Sequence, residues 1–482
     1  MKIVSNPPPR SPAPEPRPPI QDVYGQDTEA GGVSDGVMRW SWMMAMQASP
    51  KATLDCVDAF GRTDLRPDMD AFNVPTLVVH GTGDATVPID ATGRAAAKAI
   101  GSNAELKEYE RRAARADRHP RRATQLKTYW LFSTVEHSTV QSTKGPNKES
   151  RMTRAIRFHE TGGPDVLQYE DIEIGAPGRG EVCINVEAIG LNRAEAMFRQ
   201  GAYLEDPKLP AGVGYEGAGT VEVVGDGVEG LAEGDAVSVI PAFSMNDYSF
   251  YAEQAIVPAH AVTSRPKGLD AVQASAVWMP FLTAYGALIE LGQLTKGDAV
   301  IIPAASSSVG LAAIQIANSV GAVSIAATRT SSKADDLKKA GAAHVVATEE
   351  QDIVAEVMRI TGNKGARMVF DPVAGPQVET LVDAMGAGGI VFIYGALAGK
   401  PTPFPMIAGM NKALTMRGYT LFEVIGDAGR FERGKKFVTD GLEKGDFKAT
   451  VSKTFDFEDM VEAHKYMESN QQFGKIVVTV GG

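Results

Sequence analysis

The spacing of hydrophobic positions along this chain changes character several times. Residues 1–20, "MKIVSNPPPRSPAPEPRPPI", show no apolar period, and prolines at this density suit neither helix nor central strand, so a disordered leader is predicted. Residues 21–137 begin in a globular pattern. "SWMMAMQASPKATLDCVDAFG" carries apolar residues at helical spacing, and "VPTLVVHG" reads as a buried strand ending in a glycine turn. The stretch "YERRAARADRHPRRATQLK" is basic and aperiodic, and residues 138–151 are polar enough to be a linker. At Met152 short strands with Gly-Pro turns begin, in "MTRAIRFHETGGPDVLQYEDIEI", and they continue over 152–273. Helices and strands alternate over 274–416, and 417–482 returns to strands ending in "GKIVVTV". There is no internal repeat. An all-β segment interrupted by a βαβ segment predicts an α/β protein with two interlocked domains and a ligand in the cleft between them.

Composition narrows the partners. The chain has 482 residues, 44% hydrophobic and 22% charged, enough for more than one core. A net charge of −11 gives no basic excess for nucleic acid. No apolar run reads as long enough to span a bilayer, and the start lacks an apolar signal core. Two cysteines, Cys56 and Cys183, cannot build a cysteine metal cluster and fit a reducing cytoplasm.

Candidate chemistry centres on "VIIPAASSSVGLAAIQIANSVGA", from Val300 to Ala322. A buried strand, a loop of small residues and an amphipathic helix form the layout of a dinucleotide-binding turn, with serines where glycines are usual. A helix N-terminus offers N–H groups and the positive end of its dipole to a phosphate. Ser307 and Ser308 are small enough to leave those groups open, and Gly310 permits close helix-to-strand packing. The bland alternative is a generic strand–helix turn. The next strand, "VSIAAT", ends at Thr328, where a ribose-reading carboxylate would lie, but the chain continues "TRTSSKADD". Arg329 and Lys333 there suit a 2′-phosphate, with a solvated helix start as the alternative.

Several landmarks follow in order: "FHETGGPDVLQYED", "VEAIGLNRAEAMFRQGAY", "GYEGAGTVEVVGDGV", "PFLTAYGAL", the serine loop, "AGAAHVVAT", "VFDPVAG" and "GKIVVTV". With them, residues 152–482 resemble the zinc-less quinone oxidoreductase branch of the medium-chain dehydrogenase/reductase superfamily, the branch of zeta-crystallin. The resemblance implies a GroES-like β domain with an inserted Rossmann domain, and NADPH-dependent hydride transfer to quinones or other conjugated carbonyl compounds. A homodimer is the family's usual assembly. Zinc-dependent relatives have cysteine where this chain has Asn192 and histidine where it has Tyr215, so no zinc is expected. By resemblance, Ser306, Ser307, Ser308 and Val309 cradle the pyrophosphate, while Thr328, Arg329 and Lys333 face the adenosine phosphate. Thr283 and Lys475 stand near the cofactor, and Tyr203 and Asn192 are the candidate donors to the substrate oxygen. Without a metal, conjugation spreads the incoming charge and side-chain hydrogen bonds supply the rest.

Residues from about Gly32 to Glu110 resemble the C-terminal part of an α/β-hydrolase of the non-heme haloperoxidase type. Asp84, after "PTLVVHG", matches the acid of a catalytic triad. The G-x-S-x-G at Gly32 to Gly36 follows no buried strand, and His119 sits in an arginine-rich context unlike the family pattern. The segment reads as an incomplete hydrolase remnant produced by fusion, a frameshift or a misread start. Three alternatives accompany the quinone reductase reading: a zinc-less alcohol or aldehyde oxidoreductase, a non-catalytic NADPH-binding protein, and a serine hydrolase using Ser34.

Overall fold

The computed structural model describes residues 76–81, 90, 93–101, 104–109 and 151–481. The chain divides into two units, Met1–Gly145 and Pro146–Gly482. In the first, strands Thr76–Gly81 and Ala104–Tyr109 pair in parallel, joined through the helix Gly93–Ile100. The leader 1–20, Ser34, Cys56, Asp84, His119 and the linker up to residue 150 lie outside the described residues.

Among the described residues, the second unit contains three sheets. Six strands form a parallel sheet: Ala299–Ile302, Val323–Thr328, His344–Ala347, Ala366–Asp371, Met385–Ile393 and Thr415–Gly418. Numbered in chain order, their spatial order is 3-2-1-4-5-6, a Rossmann arrangement whose order reverses beside the first strand. Both faces of that first strand are buried, as a parallel sheet between two helix layers requires. Val300 and Ile302 join one core with Leu282 and Leu311, whereas Ile301 joins the opposite core with Val357 and Leu381.

A seven-stranded, largely antiparallel sheet forms the GroES-like part. Its strand Glu181–Gly190 pairs with Glu216–Val224, Gln254–Pro258 and Lys475–Thr479. The last of these carries the chain back from the Rossmann part. That return begins later than residue 417. Phe431 and Val438, on the helix Ala428–Lys444, pack in the same core as Trp278 and Leu282, and the β sheet resumes only at Val451.

One further expectation changes. The helical run Ala271–Leu291 is long and apolar enough to cross a membrane by length and composition. It is interrupted within the run, ends in a π-helical segment, and buries Trp278, Phe281 and Leu282 in the Rossmann core. Its apolarity answers to that core.

Candidate cofactor and substrate site

A cavity of about 890 Å³ lies at the carboxyl ends of the parallel strands. Its Rossmann wall comes from the turns after these strands, and its other wall from Leu191, Asn192, Ala194, Met197, Tyr203 and Tyr215. All the residues singled out above for the oxidoreductase reading line it: Asn192, Tyr203, Thr283, Ser306, Ser307, Ser308, Val309, Thr328, Arg329, Lys333 and Lys475. Ligands of open α/β sheets sit at this end, at the point where strand order reverses.

The serine loop is built for close approach. Ser307 caps the helix Ser308–Ser319, its hydroxyl accepting from the Gly310 N–H at 3.0 Å. A Cβ on Gly310 would meet the Ala305 carbonyl oxygen at 2.6 Å, so only glycine lets the helix sit this near the loop. The loop is also tied to the returning chain, because the Gly474 N–H donates to the Ser306 carbonyl at 2.9 Å. Lys333 is not a free cation. Its ammonium donates to the Gln472 carbonyl at 2.9 Å and to the Ser306 hydroxyl at 3.3 Å, which brings it to the loop. Burial and then the Arg329 charge lower its pKa. Arg329 is exposed. Thr283 donates its hydroxyl to the Met279 carbonyl at 2.6 Å, leaving its oxygen as an acceptor.

Beneath the cavity lies a buried ionic network. Lys475 Nζ is 2.5 Å from Glu216 Oε2 and 2.5 Å from Asn192 Oδ1. The other Glu216 oxygen accepts from the Met279 N–H at 2.9 Å. Asn192 Nδ2 donates to the Gly190 carbonyl at 3.0 Å and to Glu195 Oε1 at 3.1 Å. Both amide hydrogens are thereby used inside the protein, which overturns Asn192 as a donor to substrate and makes it a positioning residue. Lys475 likewise spends its charge on Glu216. Glu195 also accepts from the Asn192 and Tyr215 backbone N–H groups and from the Tyr251 hydroxyl, which reaches His464 at 3.2 Å. Burial pushes the Glu195 carboxyl up to about 7, partly offset by Lys475 and Asn192.

Sequence reasoning missed Glu195, Glu216, Tyr251 and His464. Two of them had a signal. Glu195 stands three residues after Asn192, where a carboxylate closes back on a helix start, and Glu216 lies inside the quoted "GYEGAG". Tyr251 and His464 had none, since only the fold brings them together.

The outer wall is phenolic. Burial pushes the Tyr203 hydroxyl up to about 12 and the Tyr215 hydroxyl higher still, so both are protonated donors. Buried polar atoms without a hydrogen-bond partner occur on cavity-lining residues, among them the Tyr215 hydroxyl and Gln472 Oε1. Such atoms are rare in folded proteins, and their gathering here fits a polar ligand. With the helix N-terminus that faces the cavity through Ser308 and Val309, they suit a dinucleotide. Among the described residues, no group of three or more His, Cys, Asp or Glu side chains is placed to hold a metal ion.

The comparisons agree with this geometry. Residues 308–435 match the family described as zinc-binding dehydrogenase, and residues 178–267 match the alcohol dehydrogenase GroES-like domain. The chain is 31% identical to human quinone oxidoreductase over 316 residues, covering 65% of this chain and 94% of the relative. It is 29% identical to a 2-haloacrylate reductase from a Burkholderia species over 336 residues, covering 68% and 99%. A solved structure of Escherichia coli quinone oxidoreductase complexed with NADPH superposes with a TM-score of 0.62 at 28% identity, covering 68% of this chain and 99% of that one. A parallel sheet ordered 3-2-1-4-5-6, set into a GroES-like sheet and matched along nearly the whole of these relatives, places the chain in the medium-chain dehydrogenase/reductase family of oxidoreductases.

Proposed function

We propose that this protein transfers a hydride from NADPH to quinones or other conjugated carbonyl acceptors, without zinc. The observation that carries the reading is the convergence of the serine loop, the Arg329 and Lys333 cations and two protonated phenols on one cavity. NADPH, when bound, supplies the hydride. Ser306, Ser307, Ser308 and Val309 would receive its pyrophosphate at the helix N-terminus, and Thr328, Arg329 and Lys333 would hold the 2′-phosphate. Thr283 and the Lys475–Glu216–Asn192 network fix a wall of the cavity that would hold the nicotinamide end. Tyr203 donates to the acceptor oxygen.

Zinc independence rests on the side chains themselves. Asn192 spends its amide on Gly190, Glu195 and Lys475, and a phenol occupies the second position at which zinc relatives carry a ligand. A homodimer is proposed with this reading, from the family resemblance.

The test is an NADPH-oxidation screen of the full chain against quinones, enones, aldehydes and saturated ketones, before and after prolonged chelation. Turnover confined to conjugated acceptors and unchanged by chelation supports the proposal. Preference for saturated alcohols or aldehydes, or loss of rate with loss of stoichiometric zinc, refutes it.

A further inference from the structure

Tyr215 is fully buried, yet its hydroxyl has no hydrogen-bond partner. An unsatisfied buried hydroxyl is costly, so its retention calls for a use that protein atoms do not meet. The ring is held on several sides. Its centroid is 5.7 Å from Phe243, 6.3 Å from Tyr203 and 6.4 Å from Phe422, the last reaching it from the far wall of the cavity. Its backbone is held as well. The Tyr215 N–H donates to Glu195 at 3.2 Å, and Gly214 adopts φ +112°, where a Cβ would meet the Tyr251 ring at 2.3 Å. The Tyr203 phenol lies beside the Tyr215 hydroxyl and raises its pKa.

Resting on the carbonyl-reductase reading above, we propose that Tyr215 and Tyr203 form a two-phenol cradle for the acceptor's carbonyl oxygen, with Tyr215 as a second catalytic donor. Hydride arrives at the acceptor carbon with its electron pair. The displaced π pair moves to the carbonyl oxygen, which becomes anionic, and NADPH leaves as NADP⁺. Two O–H donors held in place before the reaction stabilise that oxyanion. A proton from water then completes the product, and neither phenol is consumed. The cradle takes over the task that Asn192 cannot perform with both amide hydrogens committed.

The experiment compares full-length Tyr215→Phe, Tyr203→Phe and the double variant with unaltered protein. Tyr215→Phe deletes a buried hydroxyl that has no well-formed hydrogen bond, so its melting temperature should equal or exceed that of the unaltered protein. Its NADPH affinity, read by cofactor fluorescence, should be unchanged, while kcat/KM for a quinone should fall roughly 100-fold. A second arm titrates 4-nitrophenolate, an oxyanion that needs no turnover, into protein saturated with NADP⁺. The variant should bind it about tenfold more weakly and lose the shift of its absorption band. A melting temperature several degrees lower would reveal a protein partner for the hydroxyl and overturn the proposal. So would kcat/KM and phenolate affinity within twofold of the unaltered protein. If the unaltered protein reduces no conjugated carbonyl, the carbonyl reading fails by itself. Weakened phenolate binding in Tyr215→Phe then upholds the cradle, and unchanged binding overturns it.

Discussion

Lys475 and Glu216 expose 1% and 0% of their side chains, so each charge depends on the other. Lys475→Met leaves a buried carboxylate unpaired and should cost about 3–5 kcal/mol of stability, measured by denaturant titration without NADPH. A lysine that served only the cofactor would leave that stability unchanged. His464 gives a pH signature. Burial, and then the charges of Arg199 and Arg193, lower its pKa to about 3 from 6.5, so the folded state refuses a proton that the unfolded chain takes. Its stabilising contribution is complete above pH 6.5 and drains away as the pH falls toward 3. Glu195 works in the opposite sense. Raised from 4.5 to about 7, it favours the folded state at low pH and loses that contribution as the pH climbs through 7. In His464→Gln the denaturant midpoint should therefore fall as the pH rises from about 4.5 to 7, where the unaltered protein shows two opposing trends. A loss on acidification like that of the unaltered protein would mean another group sets it. At this scale the cavity wall was legible and its wiring was not. Asn192 and Lys475 announce themselves as side chains of useful chemistry, but their hydrogen-bond commitments exist only after folding.

In the proposed reading, the helix Ser308–Ser319 and the strand end at Thr328 divide cofactor recognition between them. Gly310→Ala pushes the helix off the Ala305 carbonyl and moves the loop that receives the pyrophosphate, a group common to both nicotinamide cofactors. Its dissociation constants for NADPH and NADH should rise together, by about tenfold or more. Arg329→Ala removes only a partner for the 2′-phosphate, so calorimetry should find NADPH weakened about tenfold and NADH within twofold. Parallel losses in both variants would refute this division. The strand–loop–helix pattern was legible because its hydrophobic period changes where the structure does. The bond from Gly474 to the loop was not, since no local pattern encodes a partner so distant in the chain.

The unit Pro146–Gly482 contains the cavity and all of its lining residues. A chain beginning at Pro146 should keep kcat/KM within twofold of the full chain. Insolubility or loss of rate would show that residues 1–145 serve the reductase. The first described strand of this unit is Arg151–Phe158. The return to the β sheet was misplaced for a physical reason. The helix Ala428–Lys444 has one apolar stripe, and a stripe does not say which of two sheets it covers.

The pairing of Val477 with Gly190 has a kinetic consequence. The strand that fills this part of the β sheet follows the entire Rossmann sheet in the chain. Until it docks, Ala188, Ile189 and Gly190 present backbone donors and acceptors on an apolar edge, the kind that recruits other chains. The parallel sheet assembles from strands connected within its own span and has no such wait. Refolding yield should accordingly fall with protein concentration while NADPH-binding capacity per recovered molecule stays constant. Competition between closure of one sheet and association of open edges, more than the stability of the finished fold, then sets how much protein survives its own folding.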